Sequence, residues 1–115
     1  MTRTMLIYKI FRSDEWAQMQ SEGQTLGAPI DLADGYVHFS TAQQARETAA
    51  KHFAGATGLW LIAAQTDAMS DLKWEISRGG AEFPHLHAPF QMSHVAWAKP
   101  LPLGADGHEF PADMT

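Results

Sequence analysis

The chain has 115 residues, 45 % of them apolar, with 13 acidic against 8 basic side chains, a formal net charge of −5 and no cysteine. This length and composition fit one packed domain over residues 1–115, and they exclude disorder throughout, disulfides, thiolate metal sites and cysteine nucleophiles. The basic residues stand singly, so no basic stripe exists to release counterions from a phosphate backbone; non-specific nucleic-acid binding is disfavoured, while a small-molecule or nucleotide ligand needs only one or two cations.

In chain order, Met5 to Phe11 is rich in β-branched and aromatic residues and predicts a first strand. Ser13, Asp14 and Glu15 open a helix, with acids where the macrodipole favours them, and Gly23 closes it. Residues 24–32 contain Gly27 and Pro29 and read as a loop. Asp34-Gly35 then signals a turn into a strand at Tyr36, whose alternation sets Val37 and Phe39 on one face and Tyr36, His38 and Ser40 on the other. Ser40 with Gln43 predicts the cap of a helix from about Thr41 to Ala54, carrying Ala42, Ala45, Ala49 and Phe53 on one face.

Leu59 to Thr66 reads as a buried strand, and Lys73 to Ser77 as a short strand that pairs with it through a turn near residues 68–71. The run from Leu59 to Ala64 is the longest apolar stretch, far below the roughly 20 residues that span a bilayer. The N-terminal residues lack a long apolar stretch and a small-residue cleavage site, so the expectation is a cytoplasmic protein without membrane association. Gly79-Gly80 marks a turn. Pro84 and Pro89 stiffen residues 83–90 and argue against a central strand there. His94 to Ala98 is the last strong strand, with a weaker one near Glu109 and Phe110. Helices come early and strands dominate afterwards, which argues for α+β rather than a regularly alternating parallel fold.

The candidate chemistry lies on polar strand faces. His38 shares its face with Tyr36 and Ser40 and precedes a helix N-terminus, where backbone N–H groups favour a phosphate or carboxylate. A half-buried histidine bonded to a neighbour is the competing account of it. In an extended segment His85 and His87 point the same way, and with His38 or Glu75 they would make a metal set; that pattern is short and lacks a longer ligand series, so no metal is assigned. Glu75 falls on the opposite face from Trp74 and Ile76, as a solvated strand residue or as a carboxylate for a sugar hydroxyl or a developing sugar cation. The four tryptophans read as core or pocket walls.

The Ile7–Ile10 strand, Trp16, Asp31-Leu32, residues 34–40, Gln43, Trp74-Glu75 and residues 83–86 together resemble a small bacterial family, domain of unknown function 952. The resemblance covers nearly the whole chain. Where that family usually reads Phe-Pro-His-Leu-Tyr-Gly-Pro, this chain has His87 and Ala88 in place of the Tyr and Gly. The resemblance implies a compact ADP-ribosyltransferase-like fold with a split, mostly antiparallel sheet and NAD or ADP-ribose held in its cleft. It also implies roles. His38 would bond the ribose or phosphate with help from Ser40 and Thr41, Tyr36, Trp74 and His87 would line the ligand, and Glu75 would polarise a ribose hydroxyl. His85 would be a second polar contact or acid–base group. The alternative is a binding or interaction module on the same scaffold without catalysis.

Overall fold

Alternation along Leu6–Arg12 sets Ile7, Lys9 and Phe11 against one layer and Tyr8 and Ile10 against another, so this strand is buried on both faces. In the computed structural model, which describes residues 5–112 and 114, that segment is β1, followed by α1 (Ser13–Glu22), β2 (Gln24–Thr25), α2 (Pro29–Asp34), β3 (Val37–His38) and α3 (Ala42–His52). The chain continues through β4 (Leu59–Gln65), β5 (Leu72–Ile76), β6 (Glu82–Leu86), β7 (Phe90–Gln91), β8 (Val95–Leu101), β9 (Leu103–Gly104) and β10 (Gly107–His108). The fold is α+β, and the strand pairs are antiparallel.

Two three-stranded sheets organise it, in the orders β1-β4-β8 and β3-β6-β5. On one face of the first sheet, Tyr8, Ile10, Leu59, Leu61 and Ala63 pack against Ala45 and Ala49 of α3. On the other face, Ile7, Phe11, Ile62 and Ala64 pack against Trp16 and Met19 of α1 and against Val37 and Leu86 of the second sheet. The second sheet thus turns its apolar face to the first and its polar face outward. A backbone bridge between Tyr8 and Ser40, with N–H···O distances of 2.7 and 2.9 Å, joins the two. Among the described residues, no helix is long and apolar enough to cross a membrane.

Several sequence expectations are corrected. Residues 24–32 are not a loop: they hold β2 and the start of α2. Pro29 takes the first helical turn, Asp31 accepts the Ala28 N–H at 2.7 Å, and Gly35 closes the helix at φ 83°. The Asp34-Gly35 signal is therefore a helix end. Helix α3 is capped by Thr41 and Gln44, one residue later than Ser40 and Gln43. β5 pairs with β6, not with β4.

The proline-bearing segment 82–86 is the centre of its sheet. Pro84 is tolerated because its carbonyl accepts from the Phe39 N–H at 2.9 Å on the side where β3 has ended. With no N–H to return, it also stops β3 after two residues. Near the C-terminal end the strand pair is β9–β10, just before Glu109 and Phe110, and the last long strand begins at Val95 because His94 lies in a 3-10 turn.

Candidate functional site

The register of the second sheet decides which side chains meet. His38 pairs with His85, and His85 with Lys73 on its other side, so these three share a face. Glu75 lies two residues along β5 from Lys73, and Tyr36 and His87 lie two residues along the chain from His38 and His85, just outside β3 and β6; their contacts place all three on that same face. Val37 and Leu86, on the opposite face, are core residues. The apolar side anchors the sheet, and that anchoring presents the histidines.

Around His38 the geometry is a carboxylate–imidazole pair with a lysine behind it. Asp31 Oδ1 lies 2.6 Å from His38 Nδ1 and 2.9 Å from the His38 backbone N–H. Its Oδ2 takes the Lys9 ammonium at 2.7 Å. Lys9 also donates to the His38 carbonyl at 2.9 Å, so β1 grips the strand and its acid together. Asp34 Oδ2 stands 2.9 Å from His38 Nε2. Burial alone pushes the Asp31 carboxyl up, but the bond from His38 and the charge of Lys9 outweigh it and hold Asp31 below its ordinary value. Burial lowers the Lys9 ammonium against the opposing pull of Asp31.

Glu75 builds the second pair. Its Oε1 lies 2.8 Å from His85 Nδ1 and 2.8 Å from His87 Nε2. Those bonds, His87 first and His85 second, hold its carboxyl below the usual range. An ionised carboxylate only accepts, so His85 donates through Nδ1–H, and in the neutral ring Nε2 carries the lone pair. That nitrogen is buried and has no hydrogen-bond partner among the described residues.

Tyr36 lies over His85 with ring centroids 4.3 Å apart, and 4.7 and 5.1 Å from the rings of His38 and His87. The His38 and His85 rings meet edge-on at 5.3 Å. Burial, then the charges of Asp34 and Glu75, raise the Tyr36 phenol above its ordinary value. A cleft of about 250 Å³ opens beside Tyr36 and His87, between Asp31, Leu32 and Gly35 on one side and Ala88 and Pro89 on the other. A larger hollow of about 510 Å³ lies between α3 and the β9–β10 hairpin, away from these groups.

His38, Glu75, His85, Tyr36 and His87 are therefore brought together. Three other sequence candidates are not. The Ser40 hydroxyl is buried against Thr48 Oγ1 at 3.2 Å, and the Thr41 side chain accepts from the Gln44 N–H at 3.2 Å as a helix cap. Trp74 pairs with Pro84 and lies on the opposite face from Glu75. Asp31, Asp34 and Lys9 were missed. One signal for the last was present: a lysine between Ile7 and Phe11 on the inward face of a core strand requires an acid partner. Among the described residues, no cluster of three or more metal-ligating groups is placed to hold a metal ion, and the His85–His87 pair converges on Glu75 instead.

The family model described as protein of unknown function (DUF952) matches residues 10–98. The chain is similar to the crystal structure of protein CC0527 from Caulobacter crescentus, at 48 % identity and a TM-score of 0.85 over 90 % of this chain and 92 % of that one. The solution NMR structure of the same Caulobacter protein matches at 48 % identity and a TM-score of 0.81, covering 90 % of each chain. No functionally curated protein matches.

Proposed function

The chain belongs to the DUF952 family of proteins of unknown function, and we propose that its histidine–carboxylate face binds a ribosyl ligand of the NAD or ADP-ribose type on an ADP-ribosyltransferase-like scaffold. The observation that carries this reading is the buried, unpartnered His85 Nε2 beneath Tyr36, beside His38 and backed by Glu75. A buried lone pair calls for a donor, and a ribose hydroxyl is one. Glu75 acts through His85, fixing the tautomer that accepts. His38 supplies a second polar contact, and the Tyr36 ring offers a face to a flat base.

Charge selects between the two ligands. Asp31, Asp34 and Glu75 outnumber Lys9 and Lys73 around this site. Both ligands carry the same pyrophosphate, and a cationic pyridinium over an aromatic ring beside these carboxylates is favoured. NAD, with its cationic nicotinamide ring, is therefore the better ligand.

Titration of labelled protein with NAD and with ADP-ribose, followed by amide shifts, tests the reading. Movement at residues 34–38, 75 and 85–88, larger for NAD at equal concentration, is expected. No movement with either ligand at millimolar concentration would overturn it. A second reading, binding without turnover, is favoured by the engagement of Glu75 Oε1 with two imidazoles at once. It predicts NAD that binds yet stays intact over hours, in the wild type as in Glu75→Gln.

A further inference from the structure

A carboxylate withdrawn from water is costly, and a buried ion pair can often be replaced by packed apolar side chains without loss of stability. Asp31 is nonetheless enclosed, and its contacts come from three places: Lys9 of β1, the Ala28 backbone ahead of α2, and both the backbone and ring of His38 in β3. Gly27 leaves room for it, since a Cβ there would lie 2.2 Å from Asp31 Oδ2. The arrangement is that of an acid behind a working histidine, where a buried carboxylate at Nδ1 orients the ring and leaves Nε2 to act.

We infer that Asp31, held by Lys9, is a positioning residue that accepts from His38 Nδ1–H and so aims Nε2–H, which Asp34 accepts in the free chain, at an acceptor oxygen of the ligand. The groups that face His38 fit this assignment. Asp31 takes Nδ1, Lys9 takes the backbone carbonyl, Tyr36 lies against the ring and His85 meets its edge. Asp34 stands at Nε2 on a part-exposed side chain at the end of α2, in the place a ligand oxygen takes over. The inference rests on the ligand-site reading above, but the proton arrangement it requires exists without any ligand.

Long-range proton–nitrogen NMR spectra of the histidine side chains in the ligand-free chain are the test. Expected at neutral pH is a protonated His38 Nδ1 whose proton lies far downfield and exchanges slowly, moving upfield and exchanging faster in Asp31→Asn. A wild-type His38 bare at Nδ1 overturns the inference whatever the ligand titration shows, and that measurement suffices if Asp31→Asn does not fold. Binding supplies a second arm with NAD as probe. A folded Asp31→Asn should lose about 10- to 100-fold in affinity, as when a group behind a working ligand is removed. Unchanged affinity overturns the inference. If NAD fails to bind the wild type, the ligand reading falls and the Nδ1 proton measurement still decides the role of Asp31.

Discussion

Asp31 and Glu75 set how the molecule answers to acid, and they do so from unlike surroundings. Asp31 is buried, and the bond from His38 together with Lys9 keeps its carboxyl below the ordinary 3.8 despite burial. Glu75 is part-exposed and is held below 4.5 by its two imidazoles. When the folded value lies below the unfolded one, the unfolded chain binds protons first as pH falls. The stabilisation is then present above the unfolded pKa and is lost as pH drops through the folded one. The urea midpoint should therefore fall as pH drops below about 4. Asp31→Asn should flatten that fall more than Glu75→Gln, because solvent screens the exposed pair. Urea titrations between pH 2.5 and 5 check this, and an unchanged slope in Asp31→Asn would remove Asp31 from the account.

At the scale of elements, α2 is the piece that builds the site, and it was hidden by its own capping residues. Gly27 and Pro29 read as punctuation in a loop and Gly35 as part of a turn into a strand, yet Pro29 opens the helix and Gly35 ends it. A six-residue helix is too short to show a hydrophobic period, so only the caps could reveal it. The strand faces were legible, because alternation alone separates Val37 from His38 and Trp74 from Glu75. Strand partners were not, since pairing depends on contacts distant in sequence. Two glycines test the importance of α2. Gly23 sits at φ 81° with nothing near its missing Cβ, so Gly23→Ala should cost about 1–2 kcal/mol, the left-handed backbone penalty. Gly27→Ala carries the same penalty at φ 105° and also collides with Asp31, so it should cost more and should shift the His38 Nδ1 proton. Thermal melts and imidazole spectra of the two variants separate a backbone effect from a displaced carboxylate.

Across the whole molecule, the order of elements was enough to indicate α+β, and the core-facing residues of β1 and α3 follow from their periods. What composition could not show is that one lysine joins the two sheets through the site. Lys9 rises from β1 into the seam and holds both Asp31 and the His38 carbonyl, so architecture and chemistry share a contact. A double-mutant cycle separates them. Lys9→Met alone leaves Asp31 buried without its cation and should cost about 3–5 kcal/mol, the range for a broken buried pair. Asp31→Leu alone strands the lysine and should be destabilising as well. The double variant, with an apolar pair filling the seam, should recover most of the loss because neither charge is left uncompensated. Urea midpoints of the four proteins measure the coupling, and additive losses would show that the two charges do not compensate each other. Recovery of stability without recovery of the His38 Nδ1 proton or of NAD affinity would separate the two roles. The seam would then need only volume, and the ion pair would be there for the histidine.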